Sequence, residues 1–360
     1  MPKQKNQHYV PEFYLKNFSR DKKNMNIYVI NDRKFTTGSI KHQCSKSYFY
    51  SKDTILETLL SQLESREASA INKLIREKSL GKLNYEEDYI RILEFISMMH
   101  GRTLMKKKKM EKMLDDFTEK IFKPMFRADP LSKELSNDDI KSIKIKNPSL
   151  HLLGLQMGIK GWILLSDLIP VSLINNTDAE FLISDHPIVF YNRAFHNLRG
   201  VSMSGYTSYG LQVFCPLSPN LALMLFHLPY YKIKMNKKHK VKLTINDVKE
   251  INKLQFFSGY NSIFYHDKEQ RKNIEQLHNG LGEIPKKPYW SSKFEKFTSK
   301  DGKIKDMYHT SDEKIPYEIN LNFIKERKIG AGSIGFVRNR ELLDLIEKMD
   351  EMMQNEKTNN

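Results

Sequence analysis

Apolar residues keep a helical period in the first half of the chain and fall into short strand-length runs in the second. Val10, Phe13, Tyr14 and Phe18 lie on one side of a short helix over residues 10–19, where Pro11 suits the first helical position. Residues 26–30 and 35–40 read as a hairpin around Asn31-Asp32-Arg33, followed by a short aromatic strand at 48–50. A helix over 54–78 carries the stripe Leu56, Leu60, Leu63, Ile71 and Leu74. A long helix over 86–122 carries Ile92, Ile96, Met99, Thr103, Met110, Leu114 and Phe117, with Arg102 at the edge of the stripe. A polar segment, 129–148, leads to a helix over 150–168 that ends before Pro170. Its Gly154-x-x-x-Gly158-x-x-Gly161 spacing predicts close approach to a neighbouring helix.

From Val171 the pattern changes to strands over 171–174, 181–183, 188–191, 211–215, 221–226, 230–235 and 241–245. A helix over 246–259 with an Asn246/Asp247 cap and a strand over 262–266 follow. Helices first and strands afterwards predict an α+β fold: a helical N-terminal half, a mainly antiparallel sheet in the C-terminal half, and one polar cluster between them. Beyond about Gly280, prolines and lysines punctuate a stretch of low periodicity, with a last helix over 341–353. The expected organisation is a main domain over residues 1–280 and a basic, irregular extension over 281–360.

Composition narrows the class. With 39% hydrophobic and 28% charged residues, the chain fits a folded protein rather than a disordered one. The opening residues lack the apolar run of a secretory signal, and Gln156, Lys160 and Asp167 interrupt the longest apolar stretch, so no membrane partner is expected. Cys44 and Cys215 form no metal or redox motif, which suits a reducing cytoplasm.

A formal charge of +16 makes nucleic acid a candidate partner. Lysines outnumber arginines 46 to 13, and base recognition favours the planar arginine fork, so charge alone does not decide it. Two lysine groups matter. Lys106, Lys107, Lys108 and Lys109 sit together on a helix, where a run of like charge usually just faces water. Lys232 and Lys234 alternate with Ile233 and Met235, and with Lys237 and Lys238 they predict a cationic strand face; an edge strand guarded against aggregation would look the same.

Two acids are oddly placed. Glu67 falls in the middle of the 54–78 apolar stripe, with Glu64 one turn before it, so it must be paired, hydrogen-bonded, metal-bound or raised in pKa. Asp185 and His186 sit between two apolar runs, and Pro187 interrupts any strand ladder there. His186 reads as an exposed turn residue. Gly330-Ala-Gly332-Ser-Ile-Gly335 matches G-x-G-x-x-G but lacks the strand, helix and ribose acid of a dinucleotide site, so no dinucleotide is expected.

Several stretches together resemble the Domain of Unknown Function 4238 family. His8-Tyr-Val-Pro-Glu-Phe-Tyr-Leu-Lys-Asn-Phe18 is similar to its opening H-Y-V-P-x-x-Y-L-x-x-F. The helix with Glu64 and Glu67 resembles its acid-bearing helix, and Arg102-Thr103 its R-T-P step, with Leu104 where proline is usual. Phe181-Leu-Ile-Ser-Asp185-His-Pro187 looks like F-x-x-S-D-x-P, and Pro216-Leu-Ser-Pro219 like P-L-S-P; the similarity spans about residues 5–267. The resemblance implies a largely prokaryotic soluble protein and brings no activity with it.

His8, Glu67, Arg102 and Asp185 fall on four separate elements. If they converge, His8, Glu67 and Asp185 would hold a divalent metal such as magnesium or manganese, and Arg102 would neutralise charge on a phosphate. That arrangement is a metal-dependent phosphodiesterase or nuclease, of the kind used in cell defence or as a toxin-like effector. The alternative is a noncatalytic nucleic-acid-binding or regulatory protein whose polar cluster is a structural ion-pair network, with Glu67 meeting Arg102 and His8 pinned to Asp185.

Overall fold

The computed structural model describes residues 6–50, 54–132, 134–147, 149–197, 203–284, 287–288, 290–299, 302–311, 315–327 and 337–358. The chain begins with β1 (Asn6–His8) and α1 (Glu12–Lys16). Pro11 caps α1 from just outside it, and Val10, Tyr14 and Phe18 are fully buried. The hairpin β2 (Asn24–Val29) and β3 (Lys34–Ser39) forms as the alternation predicts. The next strand is β4 (Ser45–Ser47), antiparallel to β1, and not the aromatic run after it. Phe49 and Tyr50 serve instead as buried anchors, with Phe49 5.1 Å from the Tyr9 ring.

Then come α2 (Thr54–Glu77), α3 (Ile90–Arg102), α4 (Leu104–Phe117), α5 (Lys123–Ala128), α6 (Asn137–Ser142) and α7 (Leu150–Gly161). The single long helix expected over 86–122 is therefore broken. Thr103 adopts an extended ψ of 165° and its hydroxyl accepts from the Lys106 amide, ending α3 and capping α4. Leu104 occupies the first helical position, where a proline would also fit. The glycines of α7 do press against α3: a Cβ on Gly154 would lie 2.5 Å from the Gly101 carbonyl oxygen, and one on Gly101 2.1 Å from that of Gly154. Any side chain at either position would force the helices apart.

The second half supplies β5 (Ile169–Ile174), β6 (Ile183–Ser184), β7 (Val189–Asn192), β8 (Leu211–Ser218), β9 (Leu221–Phe226), β10 (Tyr231–Ile233), β11 (Lys240–Lys242), α8 (Ile245–Ser258), β12 (Ser262–Tyr265) and α9 (Arg271–Asn279). After them lie β13 (Ser291–Thr298), β14 (Ile304–Ser311), β15 (Ile324–Glu326) and α10 (Arg340–Thr358). The fold is α+β. One sheet has the order β11-β5-β9-β8-β7, antiparallel except for β11 beside β5. A second, β3-β2-β12-β6, is antiparallel throughout and joins the N-terminal hairpin to the far end of the domain, so the halves interleave. Every residue of β9 is buried, which is why these strands read as continuous apolar runs.

Two expectations change here. Thr244, not Asn246 or Asp247, caps α8; Asp247 is the third residue in and returns the bond as a capping box. The stretch beyond 280 is also not irregular. β13 and β14 pair over eight residues, β15 pairs with β10, and Ile319, Leu321 and Phe323 are buried in the same core as β9. The hairpin escaped notice because it is solvent-exposed nearly throughout β13 and has no buried face to mark its period. The Gly330–Gly335 motif lies outside the described residues.

Candidate functional site

Ending α3 at Thr103 leaves Arg102 in its last turn, pointed at the N-terminal arm. Arg102 is buried, and protein atoms accept from its Nε and Nη2. Nη2 donates to Glu64 Oε1 at 2.6 Å and to the His8 carbonyl at 2.8 Å, while Nε donates to the Tyr50 hydroxyl at 3.0 Å. That hydroxyl donates in turn to the His8 carbonyl at 3.2 Å. Burial pushes the Tyr50 phenol up to about 12, so it stays a donor. Four separate segments are thus tied to one cation: β1, the chain after β4, α2 and α3. Sequence reasoning put Glu67 opposite Arg102; the acid in contact is Glu64.

Glu67 lies deeper, at 1% exposure, and its Oε1 has no hydrogen-bond partner among the described residues. Burial raises its pKa to about 8, against the pull of Arg102. It is therefore mostly a neutral acid at pH 7, one of the outcomes that its place in the leucine stripe allowed.

Beside Arg102 opens a cleft of about 320 Å³ lined by His8, Glu12, Phe13, Glu57, Ser61, Glu64, Ser65 and Ala68. Five of these come from α2 at spacings of four, three, one and three, a second stripe that was legible as small and acidic residues. His8 Nε2 stands 3.7 Å from Glu12 Oε1, and burial and Arg102 hold its pKa below the usual histidine value. Glu57 is shifted up by burial and by Glu64.

Asp185 belongs to a different cluster. Its Oδ1 accepts from the Tyr260 amide at 2.6 Å and its Oδ2 from the Asn261 amide at 3.0 Å, so it fastens the turn between α8 and β12. Burial raises its pKa, while those amides and Lys287 oppose the rise. Lys287 Nζ donates to the carbonyls of Phe256 and Gly259, the last groups of α8, where a cation is favoured. His186 is not an exposed turn residue: it is buried, its Nδ1 lies 2.6 Å from Thr103 Oγ1, and its pKa is lowered to about 3 by burial and by Lys106 and Lys109. Nothing in the sequence marked Lys287, which lies outside the family-like region.

The metal triad of His8, Glu67 and Asp185 does not form. Among the described residues no group of three or more His, Cys, Asp and Glu side chains is arranged to hold a metal ion. The physical reason is that Asp185 spends both oxygens on the backbone amides of the turn after α8, while Glu67 is buried under the Arg102 network. His8, Glu64 and Arg102 do come together; Asp185 faces Lys287, Tyr9 and Cys44 instead.

The lysines divide too. Lys106, Lys107, Lys108 and Lys109 are half-buried: Lys107 lies 5.3 Å over the Phe49 ring and Lys108 pairs with Glu111 at 2.7 Å. Lys232, Lys234, Lys237 and Lys238 are exposed, while Ile233 and Met235 pack on the core. The alternation read from the sequence holds there.

The family model described as Protein of unknown function (DUF4238) matches residues 6–269. The chain belongs to the DUF4238 family. No curated protein and no solved structure matches it. The family region takes in the Arg102 frame, the cleft and the Asp185 turn, and it ends before the β13–β14 hairpin and before Lys287 and Lys325. No helix of the described residues is long and apolar enough to cross a membrane.

Proposed function

We propose that this protein binds nucleic acid without cleaving it, through the cationic ribbon formed by β10 and β15, and that the Arg102 network is its structural frame. The observation that carries this reading is a cross-strand pair. Lys232 stands directly opposite Lys325, and both are exposed. Like charges facing each other across an antiparallel pair destabilise it, unless an anion lies between them. Lys234 extends the same face, Lys237 and Lys238 follow in the turn before β11, and Lys240 and Lys242 continue the run. The one acid on the ribbon, Glu326, is opposite Tyr231 on the other face, where it takes Arg193 at 2.5 Å and the Tyr230 hydroxyl at 3.1 Å. An edge strand needs only one guarding lysine; a doubled row with neighbours in the turn suits a phosphate backbone.

Metal-dependent hydrolysis of the same substrate lacks support at the residues that would perform it, since Arg102 Nε and Nη2 are engaged by Tyr50, Glu64 and the His8 carbonyl and Asp185 serves a turn. The test is fluorescence anisotropy with labelled single- and double-stranded oligonucleotides across a salt series. Contact with about four phosphates gives a log–log salt slope near −3. Lys232→Glu with Lys325→Glu should cut that slope by about two. Binding that is absent at low salt, or unmoved by the charge reversals, defeats the proposal; so does cleavage of plasmid DNA or RNA on adding magnesium or manganese.

A further inference from the structure

The cleft beside Arg102 plays no part in that reading, yet it has the chemistry of a binding site of its own. Its walls hold three carboxylates, of which Glu64 is matched by Arg102 at 2.6 Å and Glu12 by Lys16 at 3.2 Å. Glu57 has no such cation among the described residues, and its Oε2 is buried without a hydrogen-bond partner. A second, independent feature points inward. The His8 side chain lines the cleft and is only 10% exposed, its Nε2 is buried with no hydrogen-bond partner among the described residues, and its other nitrogen is turned to the Ile40 carbonyl. That tautomer leaves Nε2 as a lone pair, an acceptor waiting for a donor. Carboxylate oxygens, serine hydroxyls and an imidazole lone pair are all acceptors, whereas Phe13 and Ala68 offer apolar wall.

We propose that the cleft binds an alkyl primary ammonium group, with Glu57 supplying the countercharge and His8 Nε2 accepting one of its three N–H bonds. An ammonium carries three donors and no acceptor, the complement of this lining, and an alkyl stem would lie along Phe13 and Ala68. A bare divalent ion fits less well, because no three metal-ligating side chains converge among the described residues. The source is a free polyamine or the side chain of a lysine.

The chain's net charge of +16 disfavours nonspecific cation binding, and substitutions at Glu57 and Ser61 assign any saturable amine binding to this cleft. The experiment is isothermal titration calorimetry of the full chain at low ionic strength with putrescine, spermidine and Nα-acetyl-lysine amide, with 1,4-butanediol and magnesium chloride as controls. One-site binding of an amine, absent for the diol, is expected, and Glu57→Gln should weaken it by about tenfold or more. Ser61→Trp, which fills the cleft and keeps its charges, should abolish it. Tighter binding of putrescine assigns the site to free polyamines, and equal or tighter binding of the lysine amide assigns it to a lysyl side chain. No saturable heat with any amine, an affinity unchanged in both variants, or equal response to magnesium chloride overturns the inference. Nucleic-acid binding by the lysine ribbon is measured separately, so either proposal can fail alone.

Discussion

Arg102 and Lys232 are both cations in a basic protein, and their surroundings differ in every respect. Arg102 is 4% exposed and gives its N–H groups to Glu64, Tyr50 and the His8 carbonyl. Lys232 is exposed and faces another lysine across the ribbon. A buried cation bonded to three other segments of the chain serves first to hold them together. An exposed pair of like charges adds nothing to the fold and is explained by what it can meet. The same contrast separates Asp185, with both oxygens on backbone amides, from Glu57, with one oxygen unpartnered at the cleft.

If the contrast is sound, changes in the frame move stability and leave the salt slope of nucleic-acid binding alone, and changes in the ribbon move the slope while shifting stability by no more than about 1 kcal/mol. The largest effect belongs to Glu67. Its folded pKa of about 8 lies above the ordinary 4.5, so its stabilising protonated form is complete below pH 4.5 and is lost as pH rises through 8. Unfolding free energy should fall over that window by up to about 5 kcal/mol more in the native chain than in Glu67→Gln. Urea melts at several pH values check this, and parallel pH profiles would refute it.

Arg102→Met should cost about 3–5 kcal/mol, because it leaves Glu64 without its cation and takes one hydrogen bond each from the His8 carbonyl and the Tyr50 hydroxyl. Chemical denaturation measures the loss; a drop below about 1 kcal/mol would mean the frame is not a frame. Asp185→Ala should cost about 1–3 kcal/mol by leaving the Tyr260 and Asn261 amides unpaired. A double-mutant cycle with Lys287→Met should give a coupling of about 0.5–3 kcal/mol, and strict additivity would show that the two do not act together. The smallest change is Lys325→Glu: by placing an acid opposite Lys232 it should raise stability by about 0.2–1 kcal/mol while weakening nucleic-acid binding. Higher stability with undiminished binding would remove the ribbon from the interface.

Much of the helical half was readable because one-sided burial leaves a period. The Leu56–Leu74 stripe located α2 and marked Glu67 as an anomaly, and Glu67 is 1% exposed in the fold. The alternation of Lys232 and Lys234 with Ile233 and Met235 likewise foretold which side chains face water. The break at Thr103 was missed because the stripe runs straight through it; only the cap geometry ends the helix there. β13 and β14 were missed because neither face marks a period. His186 looked like a surface turn beside proline, yet α3 and α4 cover it.

Local pattern thus determined the helices and strands that have one buried face, and which charged residues sit where a charge is unexpected, since those follow from neighbours a few positions away. Partner choice was decided by the tertiary structure alone. Whether Arg102 takes Glu64 or Glu67, whether Asp185 meets a histidine or two backbone amides, and whether a lysine faces an acid or another lysine depend on contacts between elements tens to hundreds of residues apart. Pairing of that kind is set by how helices and sheets dock, and spacing along the chain carries no record of it.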